Sequence, residues 1–435
     1  MLPALALLIC IGFVLFLLRL DCKHSRDVTR AAWITTIWMA YAASRSLAQW
    51  FGSYSTDPEI ASPIDRTLSI LLLIIALRLV IRREFPWTNT IKDNAPLIVL
   101  LGFMLVSILW SNIPFIAFKR LIKEILAFIM GLVLLTEKDP RQAIQSVLRR
   151  TIYILIPFSV LLVRYFPRYG VAYHSWSGQK MWIGVCDQKN GLGMLASIAV
   201  FFLIWSISRR WHRPDRAGFR YQTLVDMLIL IAALWLLKGP GSYSATAVVT
   251  LAAGLSCYIG LWLMKKIKIA MNPHISVVIL ALIIIYGTAV PFIGRLPAGD
   301  ISSGLGRDSS LTGRSEIWAD LVPAAMSRPI LGHGFFSFSA RKISKQYANS
   351  HNGYLEVILG LGFVGLFLVS VFVLSSFRKA QRELRFEYDW AVLWICWIIM
   401  VLLNNITEST LHSFSSVTMA VLMWLTISYN SRAGS

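Results

Sequence analysis

Apolar stretches recur along almost the whole of this chain, about thirteen of them, each long enough or nearly so to cross a hydrocarbon core roughly 30 Å thick. They centre near residues 2–18, 31–51, 64–81, 95–110, 121–135, 147–166, 190–208, 223–238, 245–264, 275–293, 352–377, 389–406 and 412–429. Backbone N–H and C=O groups placed in lipid must be satisfied within the protein, and continuous apolar runs of this length do so as helices. Hydrophobic residues make up 56% of the 435 and the mean hydropathy is +0.64. A soluble domain holds only about 45–50% apolar residues. The expected fold class is an all-α polytopic integral membrane protein with 12–13 transmembrane helices. Residues 1–435 are expected to form one domain, with a long outward loop at 294–351 inside it.

Charge orients the helices. The formal net charge is +20, from 42 basic and 22 acidic residues. Such an excess in a soluble chain would point to nucleic acid. Here 24 of the 42 basic residues lie in or beside six alternate connections, namely Arg19 to Arg30, Arg78 to Lys92, Lys138 to Arg150, Arg209 to Arg220, Lys265 to Lys268 and Arg378 to Arg385. The positive-inside rule makes these cytoplasmic. The loops near 52–63, 111–118, 167–189, 239–244, 294–351 and 407–411 then face outward, as does the N-terminus. The tail after Arg432 faces inward. The first apolar segment lacks a basic leader and runs straight into Arg19-Leu20-Asp21-Cys22-Lys23, so it is expected to stay as a helix rather than be cleaved. Of the five cysteines only Cys186 falls in an outward loop, and no Cys/His spacing suggests a metal.

The segment 294–351 is the longest polar interval in the chain, and unstructured loops beyond about fifteen residues are usually functional or disordered. This one carries Ile317, Trp318, Leu321, Phe335, Phe336 and Phe338, which argues for order. The spacing of Ile317, Leu321 and Ala325 predicts a short helix, with Ser315 as its N-cap and Glu316 and Asp320 following. The loop ends in Ser350-His351-Asn352, at the start of a very apolar run, with Glu356 one turn later. Histidine is the side chain best suited to proton transfer near neutral pH. A histidine at a helix start more often only hydrogen-bonds, but this polar neighbourhood favours chemistry. Arg314 offers a guanidinium that binds phosphate bidentately, or else one that braces the loop. Arg164, Arg168, Lys180 and Lys189 supply further outward cations, most of them expected to anchor the interface. Arg45 and Glu124 lie in or near apolar stretches, where charge is costly. Neither is chosen, since Arg45 sits near the end of its helix and Glu124 has Arg120 and Lys123 as neighbours. The run Gly-Leu-Gly-Phe-Val-Gly at 360–365 fits the GxGxxG pattern, but it follows no strand, so small residues for tight helix packing are expected instead.

Residues 313–366, "GRSEIW…PILGHGFFSF…SHNGYLEVILGLGFVGL", resemble the C-terminal signature of the O-antigen ligase and polysaccharide polymerase superfamily. Gly-Arg-x-x-x-Trp, Pro-x-x-Gly-x-Gly-x-x-x-Phe and His-Asn-x-Tyr-Leu elements occur in order. "VCDQKNGLGM" at 185–194 and "SYSATAVV" at 242–249 resemble the Lys-Asn-x-x-Gly element and the hydroxyl-rich helix entrance of exopolysaccharide-polymerase members. The resemblance covers roughly residues 180–370.

It implies a GT-C-like, metal-independent, inverting glycosyltransferase without cofactors, in the bacterial inner membrane with its active site facing the periplasm. The donor is an undecaprenyl-diphosphate-linked oligosaccharide. His351 would activate or orient the acceptor hydroxyl and Arg314 would bind the diphosphate. Lys189, Asn190, Lys180, Arg168, Arg164 and Asn352 would bind diphosphate or glycan. Relatives often carry a second arginine just before the Lys-Asn element; here Ile183 stands in "GQKMWIGVCDQKN", so a lysine or an arginine from 164–168 would replace it. The favoured reading is a polymerase of exopolysaccharide or O-antigen repeats. A ligase using lipid A-core as acceptor comes next, and a transporter without chemistry last. Implied partners are membrane lipids, the glycan substrates, and chain-length regulator and flippase proteins, with no nucleic acid. Trp176, Trp182 and Trp318 are candidates to stack on sugar rings or to sit in the interfacial belt.

Overall fold

A computed structural model describes residues 2–429 apart from 26, 53–61, 84, 86, 174–177, 212–216, 241–242, 295–312 and 337–348. Trp176, Phe338, much of the 294–351 loop and the tail after Arg432 therefore lie outside the described residues. Among the described residues the regular structure is all helical save for one small hairpin, Val171–Tyr173 paired antiparallel with Lys180–Trp182 in the register Ala172↔Met181.

Every one of the thirteen expected apolar stretches overlies a helix. Among the described residues seven helices are long and apolar enough to cross a membrane: Pro3–His24, Pro140–Tyr165, Lys189–Trp211, Tyr221–Lys238, Ala245–Lys266, Pro273–Ile293 and Gly353–Glu383. The other six are shorter or charged. Ala32–Ala42 and Val417–Ile427 have 11 residues each, Ala95–Ser107 has 13 and Tyr388–Asn404 has 17. Pro63–Arg82 and Pro114–Leu135 are long enough but carry several charges. The described residues group into two compact units, Met1–Phe85 with Phe128–Ser256, and Pro86–Ala127 with Cys257–Ser435.

In the first unit the helix Pro3–His24 lays Ala6, Cys10 and Val14 against Leu161 of Pro140–Tyr165, while Leu5, Leu8 and Ile9 stay exposed. Exposed leucines along one helix face suit lipid, which costs them nothing. At the other end of this pair sits a buried charge cluster. The Asp21 carboxylate accepts from Ser146 Oγ at 2.5 Å, Arg150 Nε at 2.7 Å and Arg149 Nη1 at 3.3 Å. Asp226 accepts from Tyr153 and Arg210, and Arg149 Nε lies 4.0 Å away. Arg149 and Arg150, which the charge pattern groups with a cytoplasmic connection, are thus helical and buried against two carboxylates.

In the second unit the helix Gly353–Glu383 packs against Pro273–Ile293, Ala95–Ser107 and Tyr388–Asn404. It is interrupted at Gly362, whose φ of 67° and ψ of −169° are not helical. The interruption receives a turn of chain. Phe363 N donates to Pro329 O at 2.7 Å, Val364 N to Ile330 O at 3.2 Å, and His333 N to Leu359 O at 2.9 Å. A Cβ on Gly362 would lie 2.1 Å from Ile330 O. The glycine-rich run therefore seats a loop on a broken helix rather than packing helix on helix. The amides freed by the break find partners in that loop, as backbone at membrane depth requires.

Removing one partner of a buried ion pair leaves the other charged and desolvated, at a cost of about 3–5 kcal/mol. Asp21→Asn should therefore lower the thermal unfolding midpoint of the detergent-solubilised protein steeply. An unchanged midpoint would show that Arg149 and Arg150 do not depend on Asp21.

Candidate functional site

The second unit holds Ser350, His351 and Asn352 at the start of its longest helix. Asn352 is the N-cap, its Oδ1 accepting from Leu355 N at 2.8 Å. Its Nδ2 donates to Gly287 O at 3.1 Å and to Ile406 O at 3.0 Å, so one amide ties the helix start to two other segments. Gly353 continues the motif for a steric reason. Its N–H donates to Asn405 O at 2.8 Å, and a Cβ there would lie 2.1 Å from Asn405 Oδ1. Tyr354 places its ring where a Cβ on Gly287 would be 2.2 Å away, and its hydroxyl donates to Leu402 O at 2.9 Å. The His-Asn-Gly-Tyr order is thus a set of close backbone approaches. Asn352, expected to bind substrate, is wholly buried in this framework.

His351 is the residue of the cluster that remains partly accessible. Its φ of 49° lies in the left-handed region, which non-glycine residues seldom adopt. Its N–H donates to Asn349 Oδ1 at 3.1 Å, and among the described residues its buried Nδ1 has no hydrogen-bond partner. Burial, and then the positive charge of Arg314, push the His351 imidazole down to about 4 from an ordinary 6.5. It is a neutral ring at physiological pH. Strained backbone of this kind gathers at functional sites.

Arg314 opens the helix Arg314–Ser327. Gly313, with φ of 83°, is the N-cap, so the expected capping role of Ser315 is not met: the helix begins two residues earlier, on a turn only glycine makes without strain. Ile317, Leu321 and Ala325 are buried as the spacing predicts. Trp318 is also fully buried, and its Nε1 donates to Ser350 O at 2.9 Å. That bond joins the Gly-Arg-x-x-x-Trp helix to the histidine segment. Arg314 is only 9% exposed, and its Nη2 meets Glu408 Oε1 at 3.0 Å.

Glu408 is the functional neighbour that sequence reading missed. The visible signal was the polar run Asn404-Asn405-Ile406-Thr407-Glu408 between two apolar helices. Asn405 Oδ1 shapes this turn by accepting from Thr410 N at 2.8 Å and Leu411 N at 2.7 Å. Glu124 holds its far side, accepting from Ser413 Oγ, Ser415 N and Ser415 Oγ at 2.9, 2.8 and 3.0 Å. Arg120 is a further cation of this unit, 4.9 Å over the Phe336 ring, which itself lies 5.4 Å from the His412 ring.

Lys189, Asn190, Lys180, Arg168 and Arg164 belong to the first unit. Arg164, Arg168 and Lys180 are exposed, the last in the hairpin opposite Tyr173. Lys189 and Asn190 open the helix Lys189–Trp211. Gly193 of the Lys-Asn element lies so near the hydroxyl-rich entrance that a Cβ on it would be 2.6 Å from Ser244 Cβ, and Ser197 Oγ donates to Ala247 O at 2.9 Å. Those two sequence elements pack on each other. Arg45 is a strut: its Nη2 donates to Tyr169 O, Gly184 O and Cys186 O at 2.8, 2.8 and 2.7 Å. Trp182 packs on Trp235 with centroids 4.1 Å apart.

Residues 232–370 match the family model described as O-antigen ligase. This stretch is similar to that family. Arg314, His351 and Asn352 lie within it; Lys189, Asn190, Lys180, Arg168 and Arg164 precede it, and Glu408 follows. The chain is also similar to the exopolysaccharide production protein ExoQ of Rhizobium meliloti (strain 1021), at 25% identity over 301 residues. The match covers 66% of this chain and 65% of that protein, so the chain spans just under two thirds of the relative's length.

Within the matched stretch, Asn352 and His351 separate by their structural surroundings. Asn352→Ala removes a cap and strands two buried carbonyls, an expected loss of roughly 2–4 kcal/mol. His351→Ala should leave the thermal midpoint near that of the parent protein. Equal destabilisation by both would assign the histidine to the framework as well.

Proposed function

We propose that this protein is a membrane glycosyltransferase that moves a glycan from undecaprenyl diphosphate to an acceptor hydroxyl on the periplasmic face of the bacterial inner membrane, joining exopolysaccharide or O-antigen repeat units. The observation that carries the proposal is the presence of His351 and Arg314 together in the stretch that matches the O-antigen ligase model, joined through the bond from Trp318 Nε1 to Ser350 O. One is a neutral imidazole on a strained turn, and the other a nearly buried guanidinium whose charge the histidine feels.

The acceptor hydroxyl oxygen attacks C1 of the donor sugar, forming the new glycosidic bond as the C1–O bond to phosphate breaks. Undecaprenyl diphosphate leaves with the electron pair. The hydroxyl proton passes to His351, and attack opposite the leaving group inverts C1. Arg314 offers parallel N–H donors to the diphosphate as negative charge grows on it. Glu408 fixes the other edge of that guanidinium, so its fork is oriented before substrate arrives. Electrostatics link the two steps. Burial is the larger cause of the lowered histidine basicity, but a diphosphate at Arg314 cancels the part due to that charge, so binding the donor raises the basicity of His351 when a base is required. The donor already holds an activated C1, so positioning and charge stabilisation supply most of the catalysis, and no ATP or metal is called for. The cations at Lys189, Lys180, Arg168 and Arg164, with Asn190, are proposed to guide the anionic donor or its glycan.

Polymerisation is preferred over ligation because the relative's name attaches it to exopolysaccharide production. The description of the domain model keeps transfer to lipid A-core as the second reading. Purified protein given a synthetic undecaprenyl-diphosphate oligosaccharide as sole substrate should build a ladder of longer lipid-linked glycans. A single product appearing only after addition of lipid A-core would make it a ligase. No transfer to either would overturn the proposal.

His351→Ala and Arg314→Ala should each reduce transfer by at least about a hundredfold, given what general-base and charge-stabilising groups contribute. Wild-type-like glycan from both would remove these residues from the chemistry. The pH profile is a separate check. Because the free-enzyme imidazole is held neutral down to about pH 4, kcat/KM should fall on the acid side with an inflection well below 6.5. An inflection at or above 6.5 that disappears in a histidine variant would contradict the depressed basicity.

A further inference from the structure

The second unit contains a cavity of about 770 Å³ away from His351, where the helices Ala245–Lys266, Pro273–Ile293, Gly353–Glu383 and Tyr388–Asn404 begin or end. Four cations line it: Lys265, Arg378, Arg382 and Arg385. No aspartate or glutamate is among the lining residues. By the positive-inside pattern this is the cytoplasmic side.

The cavity is built rather than a gap between loops. Gln381 Nε2 donates to Ser276 Oγ at 2.6 Å, bracing the end of the long helix against the start of Pro273–Ile293. Tyr388 donates its hydroxyl to Leu261 O at 2.5 Å, joining two other walls. Lys265 Nζ lies 4.4 Å over the Tyr388 ring and 3.9 Å from Asp389 Oδ1, which places its charge at the rim.

Two features ask for an anion. Arg378 and Arg382 are one turn apart on the long helix, Arg385 follows just past its C-cap Leu384, and all three line the cavity, an arrangement of like charges that costs free energy without a counter-charge. A helix C-terminus explains a preference for basic residues there. It does not explain why the positive start of Pro273–Ile293, with Pro273 and His274 in the lining, faces the same space. The remaining wall is apolar, including Leu261, Met264, Ile269, Val277 and Val278. A free phosphate would use the cations and leave that wall unused. An amphipathic anion uses both.

We propose that this cavity binds an anionic phospholipid of the adjoining leaflet, the phosphate among Arg378, Arg382, Arg385 and Lys265 and the first acyl methylenes against the Leu261–Val278 wall. Basic pockets between helix ends on the cytoplasmic side suit such head groups, each nearby cation adding attraction.

Native mass spectrometry of the purified full chain tests this, with phosphatidylglycerol, phosphatidylcholine and glycerol 3-phosphate as probes. Phosphatidylglycerol should be retained and phosphatidylcholine should not. The triple variant R378Q/R382Q/R385Q should retain roughly tenfold less phosphatidylglycerol or lower still, while R378K/R382K/R385K keeps it. Equal retention of the two lipids, or undiminished retention in the glutamine variant, would overturn the proposal. Displacement of phosphatidylglycerol by an equal concentration of glycerol 3-phosphate would also overturn it, by making a soluble phosphate the ligand. Should the triple glutamine variant not fold, the exposed Lys265→Gln replaces it in the same comparison, with weaker retention expected and unchanged retention counting against the site.

Discussion

The hydrogen bonds of Asn352 are the constraint from which the candidate site is built. A helix start leaves backbone donors unpaired, and this one is buried, away from water that could pair them. Asn352 satisfies one of these donors and spends its amide nitrogen on the carbonyls of Gly287 and Ile406. A single side chain thereby sets where the long helix begins, how it meets Pro273–Ile293, and where the turn after Tyr388–Asn404 lies. That turn brings Glu408 to Arg314, and the residue before the cap is His351. Movement of the cap would shift every member of the site.

The two candidate chemical groups share one electrostatic problem. A nearly buried guanidinium is expensive without a partner, and Glu408 offsets part of that cost. Burial first, and then the charge of Arg314, depress the basicity of His351. A resting site of this kind attracts an anion and keeps its base neutral. The same charge that recruits a diphosphate donor thus couples donor binding to proton acceptance, with no moving part required.

Glycine is used here for close approach of backbone to backbone. Gly353 against Asn405, Gly362 against Ile330 and Gly313 before Arg314 each occupy places where a Cβ would collide or the φ would be strained. The break at Gly362 seats the 329–334 turn, which leads to Phe335 and Phe336 beside the histidine helix. Trp318 closes the arrangement from the other direction through its bond to Ser350. The loop elements that look scattered along the sequence converge because each docks on the same helix.

Much was legible in the chain itself. Apolar run length placed a helix in each of thirteen stretches, since hydrocarbon thickness and backbone hydrogen bonding leave few other solutions. Charge bias assigned the basic ends to one side, and the polar interval at 294–351 held Arg314 and His351. What sequence could not supply was partnership. Spacing does not say that Arg149 and Arg150 fold inward onto Asp21, that Asn352 is consumed by the framework, or that Trp318 is a strut. Glu408 escaped notice because its meaning depends on Arg314, distant in sequence and 3.0 Å away in space. The sequence by itself determined the membrane class and the helices, because those follow from local hydrophobicity and backbone chemistry. Only the tertiary structure decided which polar residues are spent on one another and which are left for a substrate, because that depends on contacts between segments far apart in the chain.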